Sequence, residues 1–468
     1  MNRRAFLHTG GGIGALALAH LLGRDRLLAA APDPKVNGGL HHPAKVRRVI
    51  QLFMNGGVSQ VDTFDYKPEL ARRHGQKADG FDAKNVATST PGTIMQSPFE
   101  WKQYGQSGRW VSSVLPHMAR GVDDMAFLMS MVSKTNVHGP ASYMQNTGFV
   151  LPGFPCLGAW VNYGLGSLAD NLPSFVVLPD SRGLPYNQTG NFSAGFLPMA
   201  HQGVVIKAHT PTPIANLQPP KSAKYVTPES EADGLGLLRE LNAGHKEQNP
   251  GDSRLDARIA SYELAARMQL SAPEALDVSK ETATTHQQYG LDDKATADFG
   301  RNCLIARRLV ERGVRFVQVW SGAGGPKDNW DNHENIHKEL PAIARSVDQP
   351  TAALLADLKQ RGLLDDTLLI WTTEFGRMPF TQGATGRDHN GGTFVTWLAG
   401  AGVRGGVSHG ASDEFGYQAV TDPTYCYDLH ATILHLLGID HERLTFRHNG
   451  IDRRLTDVHG HVVKEVLR

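Results

Sequence analysis

Cysteine is scarce: Cys156, Cys303 and Cys426 are the only three in 468 residues, far apart and odd in number. Such a set excludes a disulfide framework, and the apolar neighbours of Cys303 and Cys426 make them read as buried structural thiols. An excess of either charge is also missing, since 47 Lys and Arg against 46 Asp and Glu leave a net charge of +1. No basic stripe remains to mark nucleic acid or an anionic membrane surface as the main partner. Past the first thirty residues no run nears the roughly 18 apolar residues of a membrane span, so no stable span is expected in the mature chain. Internal repeats and low-complexity tracts are absent as well. What is present is an ordinary globular balance, 40% apolar and 20% charged, with histidine, at 21 residues, the one outlier.

The start, MNRRAFLHTGGGIGALALAHLLGRDRLLAAAPDP, sets two arginines before a Gly/Ala/Leu stretch and then small residues. That is the layout of an export signal, and Arg3 and Arg4 followed by Phe6 and Leu7 resemble the twin-arginine type, which exports folded proteins. A signal peptide is therefore expected over 1–31, cleaved near Ala29 to Ala31, where Pro32 would hinder a cut directly before it; a short amphipathic helix is the alternative. The reading implies the twin-arginine export machinery as a partner, and a soluble mature chain in the periplasm or cell envelope.

The rest, 32–468, reads as one α/β domain. Apolar runs of strand type are VRRVIQLFMNGG (46–57), MAFLMSMV (125–132), SFVVLP (174–179), VRFVQVWSG (314–322), TLLIWTTE (367–374) and TFVTWLAGAGV (393–403). Helical spacing marks 253–271, 298–312, about 334–361 and 427–438. Residues 180–232, rich in Gly, Pro, Asn and Gln, read as a long loop excursion, and SKTNVHGPASYMQNTG after the second strand reads as a polar loop. Alternating strands and helices in the second half argue for a layered sheet.

Four strand ends carry the polar residues: Asn55 with Asp62 and Asp65; His138; the loop DNWDNHENIH with Asp331, His333 and His337; and Glu374 with Asp388 and His389. In a sheet of this type the carboxyl ends converge on one edge, so residues over 300 positions apart can share a site. Imidazoles mixed with carboxylates suit a divalent transition metal such as Zn or Mn. Asp331 and His333, two apart, point to one side of an extended segment, although Asp331 or Asn332 also has the form of a helix N-cap. DTFDYKPEL is equally the form of a turn and a helix start.

The segment LPAIARSVDQPTAALLADLKQRGLLDDTLLIWTTEFGR, a histidine about fifteen residues on, the GAGVRGG turn and YDLHATILHLLGI resemble sulfatases and alkaline phosphatases. NRRAFL, LFMNGGVSQVDTFDYKP, HGPASYMQNTGF, ELAARMQLS, ARRLVERGVRFVQVW, NWDNH and TTEFGRMP are similar to an exported bacterial family of that superfamily, domain of unknown function fifteen-oh-one. The resemblance implies an alkaline-phosphatase/sulfatase-like layered α/β/α sandwich with a mostly parallel central sheet. It also implies a metal-dependent hydrolase of phosphate or sulfate esters, with polysaccharide esters as one substrate class. The metal expected is Zn or Mn, with Ca or Mg as alternatives, on Asp331, His333, Glu374, His389 and Asn55, with Asp62, Asp65, His337 and Asp388 as additional candidates. Three positions depart from the superfamily pattern: Asn55 replaces an aspartate, Phe375 replaces a histidine, and His138 stands at the nucleophile. No formylglycine is therefore expected, and His138 becomes the catalytic candidate as base, ligand or phosphoryl acceptor. The same departures support an alternative, a non-catalytic module that binds a glycan or protein partner.

Overall fold

The computed structural model describes residues 40–79, 81, 91–214, 227–248, 259, 263, 264, 267, 268 and 271–468. The expected signal at 1–31 lies outside these residues, as does most of the helix expected over 253–271. In chain order the strands that matter here are β1 (Arg48–Met54), β2 (Trp101–Tyr104), β3 (Arg109–Ser112), β4 (Met125–Val132), β5 (Phe175–Leu178) and β6 (Val204–Val205). They continue with β7 (Phe316–Ser321), β8 (Thr367–Thr372), β9 (Gly376–Gln382), β10 (Gly386–Asn390), β11 (Phe394–Gly400) and β12 (Ser408–His409). The helices are α1 (His138–Thr147), α2 (Leu157–Leu165), α3 (Pro228–Gln248), α4 (Ala297–Glu311), α5 (Ile336–Gln360) and α6 (Cys426–Leu436).

A nine-stranded sheet organises the molecule in the order β12-β4-β11-β8-β1-β7-β5-β6, with Thr424–Tyr425 also paired to β4. β11 runs antiparallel to both β4 and β8, while β8, β1, β7, β5 and β6 pair in parallel. β4 therefore points the same way as β8, and the sheet is mixed but mostly parallel. Both faces are covered, which is why its central strands read as continuous apolar runs. Ile50, Leu52 and Met54 of β1 join one core with Leu304 of α4 and Leu354 of α5. Val49 and Phe53 face the other core with Trp160 of α2 and Ile433 of α6. The period-two alternation of a strand thus feeds two helical layers from one sequence run.

Three segments differ from the sequence expectation. HGPASYMQNTG is the helix α1, closed by Gly148 in the left-handed region at φ 80°, its N–H bonded to Met144 O. Its inner face is polar: Gln145 Nε2 donates to Thr372 Oγ1 at 3.0 Å, and Gln318 Nε2 donates to Asn146 Oδ1 at 2.7 Å. The apolar repeat that marks an ordinary buried helix is consequently missing. The segment after Glu374 is not a loop but the hairpin β9–β10, antiparallel, with a register irregularity between Arg387 and His389. Within 180–232, β6 extends the sheet edge on β5 and α3 begins at Pro228; residues 215–226 lie outside the described set. No described helix is long and apolar enough to cross a membrane. The three cysteines are buried and unbridged.

Candidate metal centre

Because β1, β4, β7 and β8 run in one direction, the chain leaves all four at the same edge of the sheet. β4 exits toward His138, the first residue of α1; β7 exits toward Asp331 and His333; β8 exits toward Glu374; and β10 carries His389. Gly56, just past β1, lets the β7 loop approach: at φ 124° it has no side chain, and a Cβ there would sit 2.6 Å from Trp330 N. Trp330 N then donates to Asn55 O at 3.0 Å, and Asp331 N to Asn329 Oδ1 at 3.0 Å, which fixes the carboxylate.

Three imidazoles converge on one oxygen. Asp331 Oδ1 lies 3.2 Å from His138 Nε2, 2.6 Å from His333 Nε2 and 3.1 Å from His389 Nε2. The last two nitrogens are 2.8 Å from each other. One ligand atom from each of these four residues lies within 4.8 Å of the others, and the group is largely buried, with His333 the most open at 24% side-chain exposure.

The opposite ring nitrogens decide the tautomers. His138 Nδ1 is 2.8 Å from Glu374 Oε1, His389 Nδ1 is 2.7 Å from Asn136 O, and His333 Nδ1 meets Gln382 Oε1. Asn136 O and the Glu374 carboxylate accept, so Nδ1 of His389 and of His138 carries the proton and their Nε2 lone pairs face inward; His333 does the same when the Gln382 amide turns its oxygen to the ring. Lone pairs and a carboxylate oxygen facing one another repel unless positive charge lies among them; Arg377, its Nη2 2.7 Å from Asp331 Oδ1, supplies part of that charge from one side, and a metal ion would supply the rest. The second nitrogen of a metal-bound histidine is held by this kind of acceptor. His138, Asp331, His333 and His389 therefore can hold a metal ion, with nitrogen and oxygen donors of the kind that zinc and other first-row divalent ions take.

The titration tendencies follow from the same contacts. Burial pushes the Asp331 carboxyl upward, but the Arg377 guanidinium and the ring nitrogens of His138, His333 and His389 around it outweigh burial and hold the group far below the usual carboxylate range. Burial lowers His389 to about 4 against the opposing bond to Asp331, with the charge on Arg377 adding to the fall. At His138 burial also works downward, yet the neighbouring Asp331 and Glu374 carboxylates carry the group above its ordinary value.

The remaining candidates are placed differently. Glu374, fully buried, accepts from Gly56 N at 2.8 Å as well as facing His138 Nδ1, so it backs a ligand from behind. Asn55 donates through Nδ2 to Gly322 O and Ala323 O at 3.3 and 3.0 Å, leaving Oδ1 buried without a partner among the described residues. Asp62 is in a buried ion pair, its Oδ2 2.7 Å from Arg387 Nε. Asp65 pairs with Lys67 at 3.0 Å and accepts from Ser412. His337 is exposed on α5, its ring 6.4 Å from that of Phe99. Asp388 is buried and accepts from the His389 N–H at 2.7 Å. None of these last four joins the cluster.

Sequence reasoning missed Arg377, Gln382 and Tyr186. Arg377 is fully buried, with Nη2 2.7 Å from Asp331 Oδ1 and Nε 2.7 Å from Gly57 O. Tyr186 stacks on the His138 ring at 4.4 Å and 9°, and Phe375 packs against His138 at 4.8 Å and His389 at 4.7 Å. Arg377 stands inside TTEFGRMP, but only the fold reveals that the third residue after Glu374 reaches Asp331. Tyr186 sits in the excursion, where no local pattern points to the edge.

Comparison with curated proteins gives no match. Among solved structures, similarity is found to a sulfatase from Pseudoalteromonas sp. at 13% identity, covering 87% of this chain and 74% of that one, with a TM-score of 0.33. A phosphonate monoester hydrolase from Silicibacter pomeroyi matches at 12% identity, covering 84% and 73%, with a TM-score of 0.35. The alkaline phosphatase of the Antarctic bacterium TAB5 matches at 11% identity, covering 78% and 94%, with a TM-score of 0.32. The layered architecture is read from the strand pairings themselves, not from likenesses of this size. Residues 46–467 match the family model described as "Protein of unknown function (DUF1501)", and the chain belongs to that family.

Proposed function

We propose that this protein is a metal-dependent hydrolase of phosphate or sulfate esters, acting on esters carried by polysaccharides, in the periplasm or cell envelope after export by the twin-arginine route. The observation that carries the metal is the convergence of three Nε2 atoms on Asp331 Oδ1, with every Nδ1 tied to an acceptor. The ester class rests on the motif resemblance to sulfatases and alkaline phosphatases, and the location rests on the first 31 residues. A divalent ion held by His138, Asp331, His333 and His389 would supply a Lewis acid for the ester oxygen and lower the pKa of water.

The chain's own residues supply the rest. Glu374 fixes the His138 ring and makes it a stronger donor. Arg377 keeps Asp331 ionised and in place. Phe375 and Tyr186 cover the imidazole faces and limit water to the side where His333 is exposed. His138 is committed through both nitrogens, so water and not a side chain is the nucleophile in this reading.

That commitment also favours a second reading, a metal-binding module without turnover that recognises a glycan or protein partner. Metal analysis of the purified full chain, with assays on para-nitrophenyl phosphate and para-nitrophenyl sulfate, separates the two. Bound metal with turnover lost in His333→Ala supports the hydrolase. Bound metal without turnover supports the module, and no bound metal overturns both.

A further inference from the structure

Of seven tryptophans, Trp160, Trp320, Trp330, Trp371 and Trp397 are fully buried. The other two, Trp101 and Trp110, stay partly exposed, and both lie against Tyr66, at 5.3 and 4.4 Å between ring centroids. They stand on the hairpin β2–β3, where Trp110 is 36% exposed. A fold that buries every other indole and keeps these two beside one tyrosine at the surface, tilted 44° and 30° to its ring, presents an aromatic cluster. Trp101 Nε1 is buried without a hydrogen-bond partner among the described residues.

Tyr66 and Trp110 form one wall of a cavity of about 310 Å³, which also includes Asp65, Lys67, Arg109 and Ser412. That volume lies at the small end of the range for small-molecule sites, which runs from about 300 Å³. Asp65 is neutralised by Lys67 at 3.0 Å. Among the described residues Arg109 bonds to no carboxylate, and Asp65 acts on it only through space: Arg109 donates to Ser408 Oγ at 2.7 Å and Phe64 O at 3.0 Å, contacts Met129 Sδ at 2.6 Å and lies over the Phe127 ring at 4.4 Å. Two cations against one carboxylate leave the cavity with one positive charge in excess.

We infer that this cavity is a binding subsite for an anionic saccharide, with the apolar face of a sugar ring on Trp110 and its sulfate, phosphate or carboxylate toward Arg109 and Lys67. The C–H bonds of a sugar ring face are weakly positive and suit the negative face of an indole. Hydroxyl groups at the edge find Ser412 and Asp65, and an anionic substituent gains charge-assisted hydrogen bonds. The subsite is separate from the metal cluster, although one segment serves both: Gly56 N holds Glu374, and the same segment ends at Asp65 and Lys67 in the cavity wall. The inference does not need the ester hydrolysis proposed above.

The test is a tryptophan fluorescence titration of the full chain in EDTA, with dextran sulfate and with unsulfated dextran of the same size as probes. With five indoles buried, changes in emission report Trp101 and Trp110. Dextran sulfate is expected to bind, and dextran to bind at least about tenfold more weakly. Trp110→Ala, followed by calorimetry because it removes a reporter, is expected to weaken dextran sulfate about tenfold or more, with the circular dichroism spectrum unchanged. Lys67→Gln is expected to weaken it while leaving the indoles in place. No binding of either polymer overturns the inference, as does equal binding of the two. Undiminished binding by Trp110→Ala overturns it too, because that variant keeps every charge and would reveal non-specific polyanion attraction.

Discussion

Arg377 Nη2 lies 2.7 Å from Asp331 Oδ1, the same oxygen that faces His138, His333 and His389. A fully buried guanidinium and a nearly buried carboxylate thus share the centre with three imidazole rings. The arginine offsets the one negative charge closest to the lone pairs and sets the direction in which the carboxylate presents its oxygen. It is spent on the protein: Nε goes to Gly57 O, and the two terminal nitrogens to Gly56 O, Arg387 O and Asp331.

Replacing Arg377 by Met should therefore be costly. It strands Asp331 in a low-dielectric pocket without its cation, a change that removes about 3 to 5 kcal/mol when a buried pair is broken. Guanidinium denaturation of the metal-free variant measures the loss. Added zinc should recover part of it, because the ion binds the folded state and supplies the missing charge. A variant as stable as the parent would show that Asp331 does not depend on the arginine.

Removing the support behind a ligand should act on metal affinity more than on stability. Glu374→Gln keeps the shape but withdraws the carboxylate from His138 Nδ1, and losses of this kind weaken metal binding by about 10- to 100-fold. Asp331→Asn, which alters the shared oxygen itself, should weaken it further. Competition with a metallochromic dye gives both constants. Unchanged affinity in both variants would place the ion elsewhere.

The carboxylate that looked like a spare ligand makes the opposite prediction. Asp62 is fully buried against Arg387, which also donates to Met378 O and Met95 O, so Asp62→Ala should cost about 3 to 5 kcal/mol and leave metal content unchanged. Loss of metal without loss of stability would restore Asp62 as a ligand.

How far the chain reveals itself depends on what each residue faces. β1 and β8 are legible because both of their faces meet apolar helices, so their burial is written in consecutive residues. Asp331 and His333 are legible because a short loop holds them, and His389 because a strand end precedes it. α1 is not, since its inner face meets Gln318 and Thr372 and uses amides where a core helix would use leucines. The hairpin β9–β10 is hidden for a related reason. Glu374, Arg377, Arg387, Asp388 and His389 are all buried, and their partners lie as far away in sequence as Gly56 and Asp62. A run of charges looks solvated until those partners are known.

Acid should also destabilise the fold at a site away from the metal centre. His430 in α6 is fully buried, with Nε2 3.0 Å from Gln145 O and Nδ1 without a partner among the described residues. Burial lowers it to about 4, against the opposing bond to Gln145. In the unfolded chain it titrates near the ordinary histidine value of about 6.5. Below that value the unfolded state takes up a proton that the folded state refuses, so stability falls as the pH drops through the window from about 6.5 to about 4 and levels off beneath it. A single group displaced this far contributes about 3 kcal/mol across the window, of which about 2 kcal/mol is lost by about pH 5. Gln at this position can still donate to Gln145 O but cannot ionise. Urea denaturation of the parent and of His430→Gln at about pH 7.5 and about pH 5 should show the parent losing more, by about 2 kcal/mol. Equal losses in the two proteins would mean that His430 is protonated inside the fold or that α6 opens before it titrates.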